Sequence, residues 1–469
     1  MSTTSNVSAG NRIQALLDDS SFVEIGSLVK ARSTDFNLAK KETPADGVIT
    51  GYGTINNALV YVYSQDATVL GGSVGEMHAK KIARIYDMAV KMGAPVIGLV
   101  DCAGLRLEEA TDALNAFGEI YLKKAVASGI IPQITAVFGN CGGGLSILSQ
   151  LSDFTFMADN AKLFVNSPNT IDGNSTEKCD TASSEFQSKN TANVDVTASE
   201  DEVLAQIRTL IDMLPGNYEE SALDDECTDD ANRACPDLDG FINDMPSLIQ
   251  TVADNNVFFE TKKDYATDVV TGLIKLNGST VGVVANNSDL LTAEGCAKAE
   301  ETVRFCDAFD LPVVTFTNVT GFETTMDEEK VIAKAAAKLT YAFANATVPK
   351  VNVVAGNAFG SAYVTMNSKG LGADVVYAWP DSKIGMMNSE SAVKIIYADE
   401  IAKSKKAVDT ISEKAAAYDE LQLSVNSAAG RGYVDTVINP EDTRKYLIGA
   451  LEMLFTKREE KPFKKHGTV

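Results

Sequence analysis

The motifs in the first half of the chain return in the same order in the second, and this duplication limits the architecture more than any other feature. Val48-Ile49-Thr50-Gly51, Pro95, Gly104, Ile131-Pro132 and the turn Gly139-Asn140-Cys141-Gly142-Gly143-Gly144 follow one another. Val269-Val270-Thr271-Gly272, Pro312, Gly321, Val348-Pro349 and Gly356-Asn357-Ala358-Phe359-Gly360-Ser361-Ala362 repeat them at offsets of 217 to 221. Such a unit far exceeds the roughly 20 to 50 residues of a solenoid repeat, so each copy is expected to be a domain with its own core. The 469-residue chain is also past the size at which a single core keeps growing. The expected domains are 1–245 and 246–469, with the boundary in the stretch 240–265.

Within the first copy, Tyr52 to Tyr63 reads as a hairpin turned at Asn56-Asn57. Gly71-Gly72-Ser73-Val74-Gly75-Glu76 opens a helix on which Ile82, Ile85, Ala89 and Met92 recur at helical spacing. Ala94 to Cys102 is a continuous apolar run of strand length, as expected when helices cover both faces of a sheet. A helix over Leu114 to Ser128, a strand over Ile130 to Phe138 and a helix over Leu145 to Leu151 follow. Strands alternating with helices predict an α/β fold with a largely parallel sheet, right-handed crossovers and sites on the loops leaving the strand ends. Between the copies lie a polar stretch from Ser175 to Val196, a capping box at Ser199-Glu200-Asp201-Glu202 and a stop at Pro215-Gly216.

Apolar runs stop well short of the roughly 20 residues needed to span a bilayer, and the polar start Met1 to Asn11 has no secretory pattern. A cytoplasmic protein is expected. Seven cysteines, odd in number and without a CxxC pair, argue for reduced thiols and against a disulfide framework or a zinc ribbon. The acidic run Asp224, Asp225, Glu226, Asp229 and Asp230 lacks the spacing of an oxygen-ligand loop, so no metal is expected. A net charge of −23 repels nucleic acid and would also oppose a phosphorylated ligand. Such a ligand would need a local basic cluster, for which Lys80, Lys81, Arg84, Arg106, Lys123 and Lys124 are the candidates, although most such residues are solvated helix faces.

Side-chain catalysis has little material. The only histidines are His78, one turn into a helix, and His466 near the C-terminus, and neither GxGxxG nor GxxxxGK[ST] occurs. The two glycine turns remain. Where negative charge develops on a carbonyl oxygen, two convergent main-chain N–H groups stabilise it without any titrating side chain. A small-residue run between strand and helix admits the ligand and adds the positive helix N-terminus.

Several ordered stretches resemble the biotin-dependent acyl-CoA carboxyltransferases. In the first half these are Gly71 to His78, Gly98 to Arg106, Ser128 to Ile134 and Asn140 to Gly144. In the second they are Val281 to Asn287, Arg304 to Phe309, Ala346 to Val351, Tyr377-Ala378-Trp379-Pro380 and the ending Lys464-Lys465-His466-Gly467. The resemblance runs from about Arg12 to the end. It implies two crotonase-like domains per chain, a trimer of dimers, and active sites shared between the N-domain of one subunit and the C-domain of its dimer partner. One turn would hold the thioester carbonyl of an acyl-CoA and the other the ureido carbonyl of biotin, with the assignment of turn to substrate open. By motif position the donors are the amides of Gly143 and Gly144, and of Ser361 and Ala362. Gly72, Gly104, Arg106, Cys141 and Gly142 would line the first half of the site, and Phe359, Gly360, Tyr363 and Val364 the second.

This chain departs from the family pattern at Cys102-Ala103-Gly104-Leu105-Arg106, Val319-Thr320-Gly321-Phe322 and Gly360-Ser361-Ala362-Tyr363-Val364. Val364 stands where the family usually has Asp, a position that helps select the acyl chain, which speaks against propionyl-CoA. Val90-Lys91-Met92 imitates part of a biotin-attachment site but sits inside an amphipathic helix, so biotin is expected on a separate carrier protein. The same type of subunit serves carboxylases, which predicts a biotin carboxylase partner, and sodium-pumping decarboxylases, which predict a membrane-embedded decarboxylase subunit. A crotonase-like hydrolase, isomerase or acyl-CoA binder would instead need positioned carboxylates, for which Glu108, Glu109 and Glu119 are the candidates.

Overall fold

The computed structural model describes residues 8–32, 41–220 and 227–462. Part of the acidic run (Asp224, Asp225 and Glu226) and the ending Lys464 to Gly467 with His466 lie outside the described residues. The chain forms two compact units, Met1–Ser221 with Lys262–Tyr265, and Ala222–Thr261 with Ala266–Val469. The division falls earlier than the expected boundary after residue 245. Burial is the reason: Cys235, Leu238 and Met245 belong to the same apolar core as Val281, Val314 and Leu447.

The first unit runs α1 (Ala9–Leu16), β1 (Val23–Glu24), β2 (Val48–Ile55), β3 (Ala58–Gln65), α2 (Glu76–Met92), β4 (Val96–Cys102), α3 (Ala110–Ala127), β5 (Gln133–Gly142), α4 (Gly144–Ser149), β6 (Phe154–Ala158), β7 (Lys162–Phe164), α5 (Asn174–Glu177), α6 (Ser184–Asn190), β8 (Val196–Ala198) and α7 (Glu200–Met213). Its sheet order is β1-β2-β3-β4-β5-β6-β8. The pairs β1/β2 and β2/β3 are antiparallel and every later pair is parallel. Strand β4 is buried along its whole length, as its unbroken apolar run requires. Strand β5 is longer than the sequence suggested because it serves two ladders. Residues 134–137 pair with β6, and residues 140–142 pair with β7.

The second unit repeats this plan with α8 (Met245–Val252), β9 (Phe258–Thr261), β10 (Val269–Leu276), β11 (Ser279–Asn286), β12 (Leu290–Leu291), α9 (Ala293–Ala308), β13 (Val313–Val319), β14 (Gly321–Phe322), α10 (Met326–Glu329), α11 (Ile332–Asn345), β15 (Lys350–Phe359), α12 (Gly360–Thr365), β16 (Val375–Ala378) and β17 (Lys383–Gly385). Helices α13 (Ser389–Ile396), α14 (Ala398–Lys403), α15 (Ala407–Tyr418) and α16 (Val425–Gly430), strand β18 (Thr436–Val437) and helix α17 (Thr443–Leu454) complete it. The sheet order is β9-β10-β11-β13-β15-β16-β18, with β17 on the far end of β15. Strands β4 and β13, and β5 and β15, are related by a shift of 217 at both ends.

The duplication extends to a clamp on each hairpin, partly exposed in the first unit and buried in the second. The first hairpin turns at Asn56-Asn57, as expected, with both residues at positive φ. Asp18 accepts the amides of Asn56 and Asn57 at 3.0 and 2.9 Å, and Arg208 donates to Asp18 and to the Leu16 carbonyl. In the second unit Asp254 accepts from Asn277 and Gly278, while Arg444 donates to Asp254 and to the Val252 carbonyl. The Asn57 amide is the first cause holding the Asp18 carboxyl far below its usual range.

Candidate active site

In both units two loops leave neighbouring strand ends. Cys102 lies opposite Cys141 where β4 meets β5, and Val319 lies opposite Ala358 where β13 meets β15. The ladder register shifts just before each of these pairs, between Val100 and Cys102 and between Thr317 and Val319. A side chain bridges each shift. Asp101 Oδ1 accepts the amide of Asn140 at 3.4 Å, and Asn318 Oδ1 accepts that of Asn357 at 3.0 Å. The residue before each amide must be glycine, since a Cβ on Gly139 would lie 1.9 Å from Asp101 Oδ1 and one on Gly356 would lie 2.5 Å from Asn318 Oδ1. This lock was missed in the sequence, although Asp101 and Asn318 stand at the same offset as the turns they hold.

Beyond the lock each chain segment reverses at a glycine in the left-handed region, Gly143 at φ 63° and Gly360 at φ 60°. Gly142 and Gly144 are confined as well, by the rings of Phe164 and Phe117. Helices α4 and α12 begin at these turns, so their first amides have no partner inside the helix. The N–H of Gly143 is not among the free ones. It donates to the Phe164 carbonyl at 2.8 Å, which corrects the expectation that Gly143 is a donor. The first amides of α4 are those of Gly144 and Leu145, which receive no side-chain cap among the described residues and match Ser361 and Ala362 of α12 at the 217-residue offset. Tyr121 donates to the Gly144 carbonyl at 2.5 Å and steadies the turn.

Gly72 and Gly104 sit on two loops that are joined to each other: Ala103 donates to the Gly71 carbonyl, Val74 to that of Gly104 and Arg106 to that of Val74, all at 2.9 Å. Cys102 and Cys141 are buried, and burial pushes the Cys102 thiol up to about 12, so neither is set up as a nucleophile. Cys141 can offer a ligand only its main chain. In the second unit Phe359 is buried, burial pushes the Tyr363 phenol up to about 12, and Val364 is half exposed. Ile147, the counterpart of Val364, is half exposed too.

Arg106 does not face a ligand. Its buried guanidinium donates to Asp46 at 2.6 Å, to Glu109 at 2.7 Å and to the Ser73 carbonyl at 2.8 Å. The expected basic cluster does not assemble either. Lys81 is bound to the Ala45 and Val48 carbonyls, Lys124 is buried against Ser152, Lys80 pairs with Glu76 and Lys123 pairs with Asp87. Of the candidate carboxylates, Glu109 is engaged by Arg106, Glu108 lies 3.4 Å from Lys41, and Glu119 is exposed on α3. His78 is fully buried between the Asp46 carbonyl and Gln65, and burial lowers its pKa to about 3. It is therefore a structural histidine. No group of three or more metal-capable side chains gathers, and no helix is long and apolar enough to cross a membrane, among the described residues.

The Carboxyl transferase domain family model matches residues 5–469. The chain belongs to the carboxyl transferase family. It is 39% identical over 480 residues to the propionyl-CoA carboxylase beta chain of Roseobacter denitrificans, covering 99% of this chain and 93% of the relative. It is equally 39% identical over 482 residues to the methylmalonyl-CoA decarboxylase subunit alpha of Veillonella parvula, with the same coverage. A crystal structure of hexameric transcarboxylase 12S with methylmalonyl-CoA and methylmalonic acid bound superposes with a TM-score of 0.93 at 36% identity, over 98% of this chain and 91% of that one. The fold is thus the two-domain crotonase-like fold, and this carboxyl transferase is a biotin-dependent enzyme type.

Proposed function

We propose that the chain moves a carboxyl group between biotin on a separate carrier protein and the α-carbon of a short acyl-CoA. The observation that carries this reading is the pair of glycine turns at equivalent strand ends, each opening a short helix with two unclaimed amides. Gly144 and Leu145 hold one carbonyl oxygen as it gains charge, and Ser361 and Ala362 hold the other. Each such donor stabilises the transition state by about 3 to 4 kcal/mol. Biotin, when bound, supplies the transferred carboxyl group, a ureido oxygen that gains charge as that group leaves, and a nitrogen that takes up the α-proton. The second turn suits a flat ureido group, because Gly360 has no side chain and Ser361 is exposed. With His78 buried and Glu109 engaged by Arg106, a hydrolase or isomerase reading would be left with the surface carboxylates Glu108 and Glu119 in the first unit. The apolar Ile147 and Val364, one on each short helix, would border the acyl group and favour an uncharged chain.

The match to carboxylase beta and decarboxylase alpha chains at the same identity supports both directions of transfer. The carboxylase reading requires a biotin carboxylase partner. The decarboxylase reading requires a membrane subunit that consumes the carboxylated carrier, with this chain docked from the cytoplasm. In either case the chain works as a trimer of dimers. The test is decarboxylation of methylmalonyl-CoA or malonyl-CoA with free biotin as acceptor. Ser361→Pro deletes one donor and should lower kcat by about 100- to 1,000-fold, while Ser361→Ala keeps the N–H and most of the activity. Turnover indifferent to biotin, or equal losses in the two variants, would sink the reading.

A further inference from the structure

Each peptide unit that carries a donor of the first turn is held at its other end by a hydroxyl. The Leu145 N–H shares a planar peptide with the Gly144 carbonyl, and the Gly144 N–H shares one with the Gly143 carbonyl, so fixing either oxygen fixes the N–H opposed to it. Tyr121 reaches across from α3 and donates to the Gly144 carbonyl at 2.5 Å. Ser146 donates to the Gly143 carbonyl twice, from Oγ at 2.8 Å and from its amide at 3.1 Å. The Ser146 bond is local and ordinary, since serine hydroxyls in helices often return to a carbonyl one turn back. The Tyr121 bond joins residues 23 apart and depends on the placing of a ring, which Phe117 sets by packing against it with 5.0 Å between centroids.

An anchor matters at this turn because packing supplies no restraint at its pivot: a Cβ on Gly143 would meet nothing within 4 Å. Burial pushes the Tyr121 phenol up, so the hydroxyl keeps its proton and stays a donor at neutral pH. A hydrogen bond on a carbonyl also polarises its peptide and strengthens the N–H at the other end. The second unit offers a contrast. There Thr365 Oγ1 donates to the Ala362 carbonyl at 2.8 Å, and that oxygen belongs to the peptide of the Tyr363 N–H, one past the two donors of its turn.

We infer that Tyr121 is a positioning residue for carboxyl transfer: its phenol holds and polarises the Gly144–Leu145 peptide so that the Leu145 N–H meets the substrate oxygen as that oxygen gains charge. The inference rests on the proposed function, so it is tested both with and without turnover. Tyr121→Phe keeps the ring and its contact with Phe117 and removes only the hydroxyl. Hydrogen–deuterium exchange over residues 142–149, read by mass spectrometry on the intact protein, should quicken about fivefold for the loss of one hydrogen bond. In biotin-dependent decarboxylation of methylmalonyl-CoA or malonyl-CoA, kcat should fall about tenfold with KM within about twofold, since the contact is made in the transition state. Ser146→Ala should cost about threefold, because the Ser146 amide still holds the Gly143 carbonyl. Thr365→Val removes a hydroxyl of the same kind from the wrong peptide and should leave kcat within about twofold. Unchanged exchange in Tyr121→Phe, an unchanged kcat, or an equal loss of kcat in Thr365→Val would overturn the inference. A wild type without biotin-dependent turnover would overturn the functional reading on its own, whatever the exchange shows.

Discussion

The two units share one backbone plan and differ in where they place buried charge. Behind its lock the first unit buries Arg12 and Asp101 against a partly exposed Glu200, and beside α2 it buries His78, Asp46, Arg106 and Glu109. The second unit performs the same lock with a neutral Asn318, and its counterpart of His78 is Gly295. Both keep the arginine and aspartate clamp on the hairpin. The lesson is that the turn needs an acceptor at the strand end but not a charge. The electrostatic apparatus of the first unit is an elaboration that ties stability to pH.

Acid should expose this difference most strongly. His78 faces Asp46, Arg106 and Lys81, and burial followed by the Arg106 charge depresses its pKa from 6.5 to about 3. A base with a depressed folded pKa stays neutral in the native state while the unfolded chain takes up a proton, so stability is whole above about 6.5 and falls as pH drops toward 3. At about 1.36 kcal/mol per pH step the loss comes to roughly 4 to 5 kcal/mol, confined to the first unit. Thermal melts from pH 7 to pH 4 should show a falling transition that His78→Gln flattens; parallel slopes in the two proteins would contradict this assignment. The lock comes next. Asp101→Ala leaves both the Asn140 amide and the buried Arg12 short of a partner and should cost about 3 to 5 kcal/mol. Asn318→Ala removes only a neutral acceptor and should cost about 1 to 3 kcal/mol. Asp101→Asn keeps the acceptor and should recover part of the loss in denaturant unfolding. If Asn is no better than Ala, the hydrogen bond to Asn140 is not what the position supplies.

What the sequence disclosed follows the range over which each signal acts. Apolar runs, the Asn56-Asn57 turn and the paired glycine motifs are local and repeated, so the strands, the hairpin and the two turns were legible, as was the family. The roles of Arg106 and the lysines were not, because a positive charge in sequence looks the same whether it meets solvent, a ligand or a buried carboxylate. Arg106 meets Asp46, 60 residues away. The extent of the second unit was misjudged because Cys235 and Leu238 lie in a polar stretch and reveal their burial only against strands far along the chain. The donor at the first turn was off by one residue for a similar reason. Whether Gly143 is free depends on the Phe164 carbonyl, which a separate short strand brings to it.

That last point separates the two turns by a smaller effect. Gly143 and Gly360 both hold positive φ, Gly143 with ψ −129° outside even the left-handed helical well, and an alanine at either pays about 1 to 3 kcal/mol for the backbone conformation alone. The surroundings differ. A Cβ on Gly143 meets nothing within 4 Å, whereas one on Gly360 comes within 3.2 Å of the Met386 carbonyl. Backbone strain is therefore the whole cost at Gly143, and Gly360→Ala must in addition move β17 or the turn itself. Both variants should fold with slightly lowered melting temperatures. Gly360→Ala should be the less stable and should lose more kcat, because the shift needed to admit the Cβ carries the Ser361 and Ala362 amides with it. An equal loss of activity with unequal stability would mean that the turns move independently of the helices they open, and that the amides are held by the helix and not by the glycine.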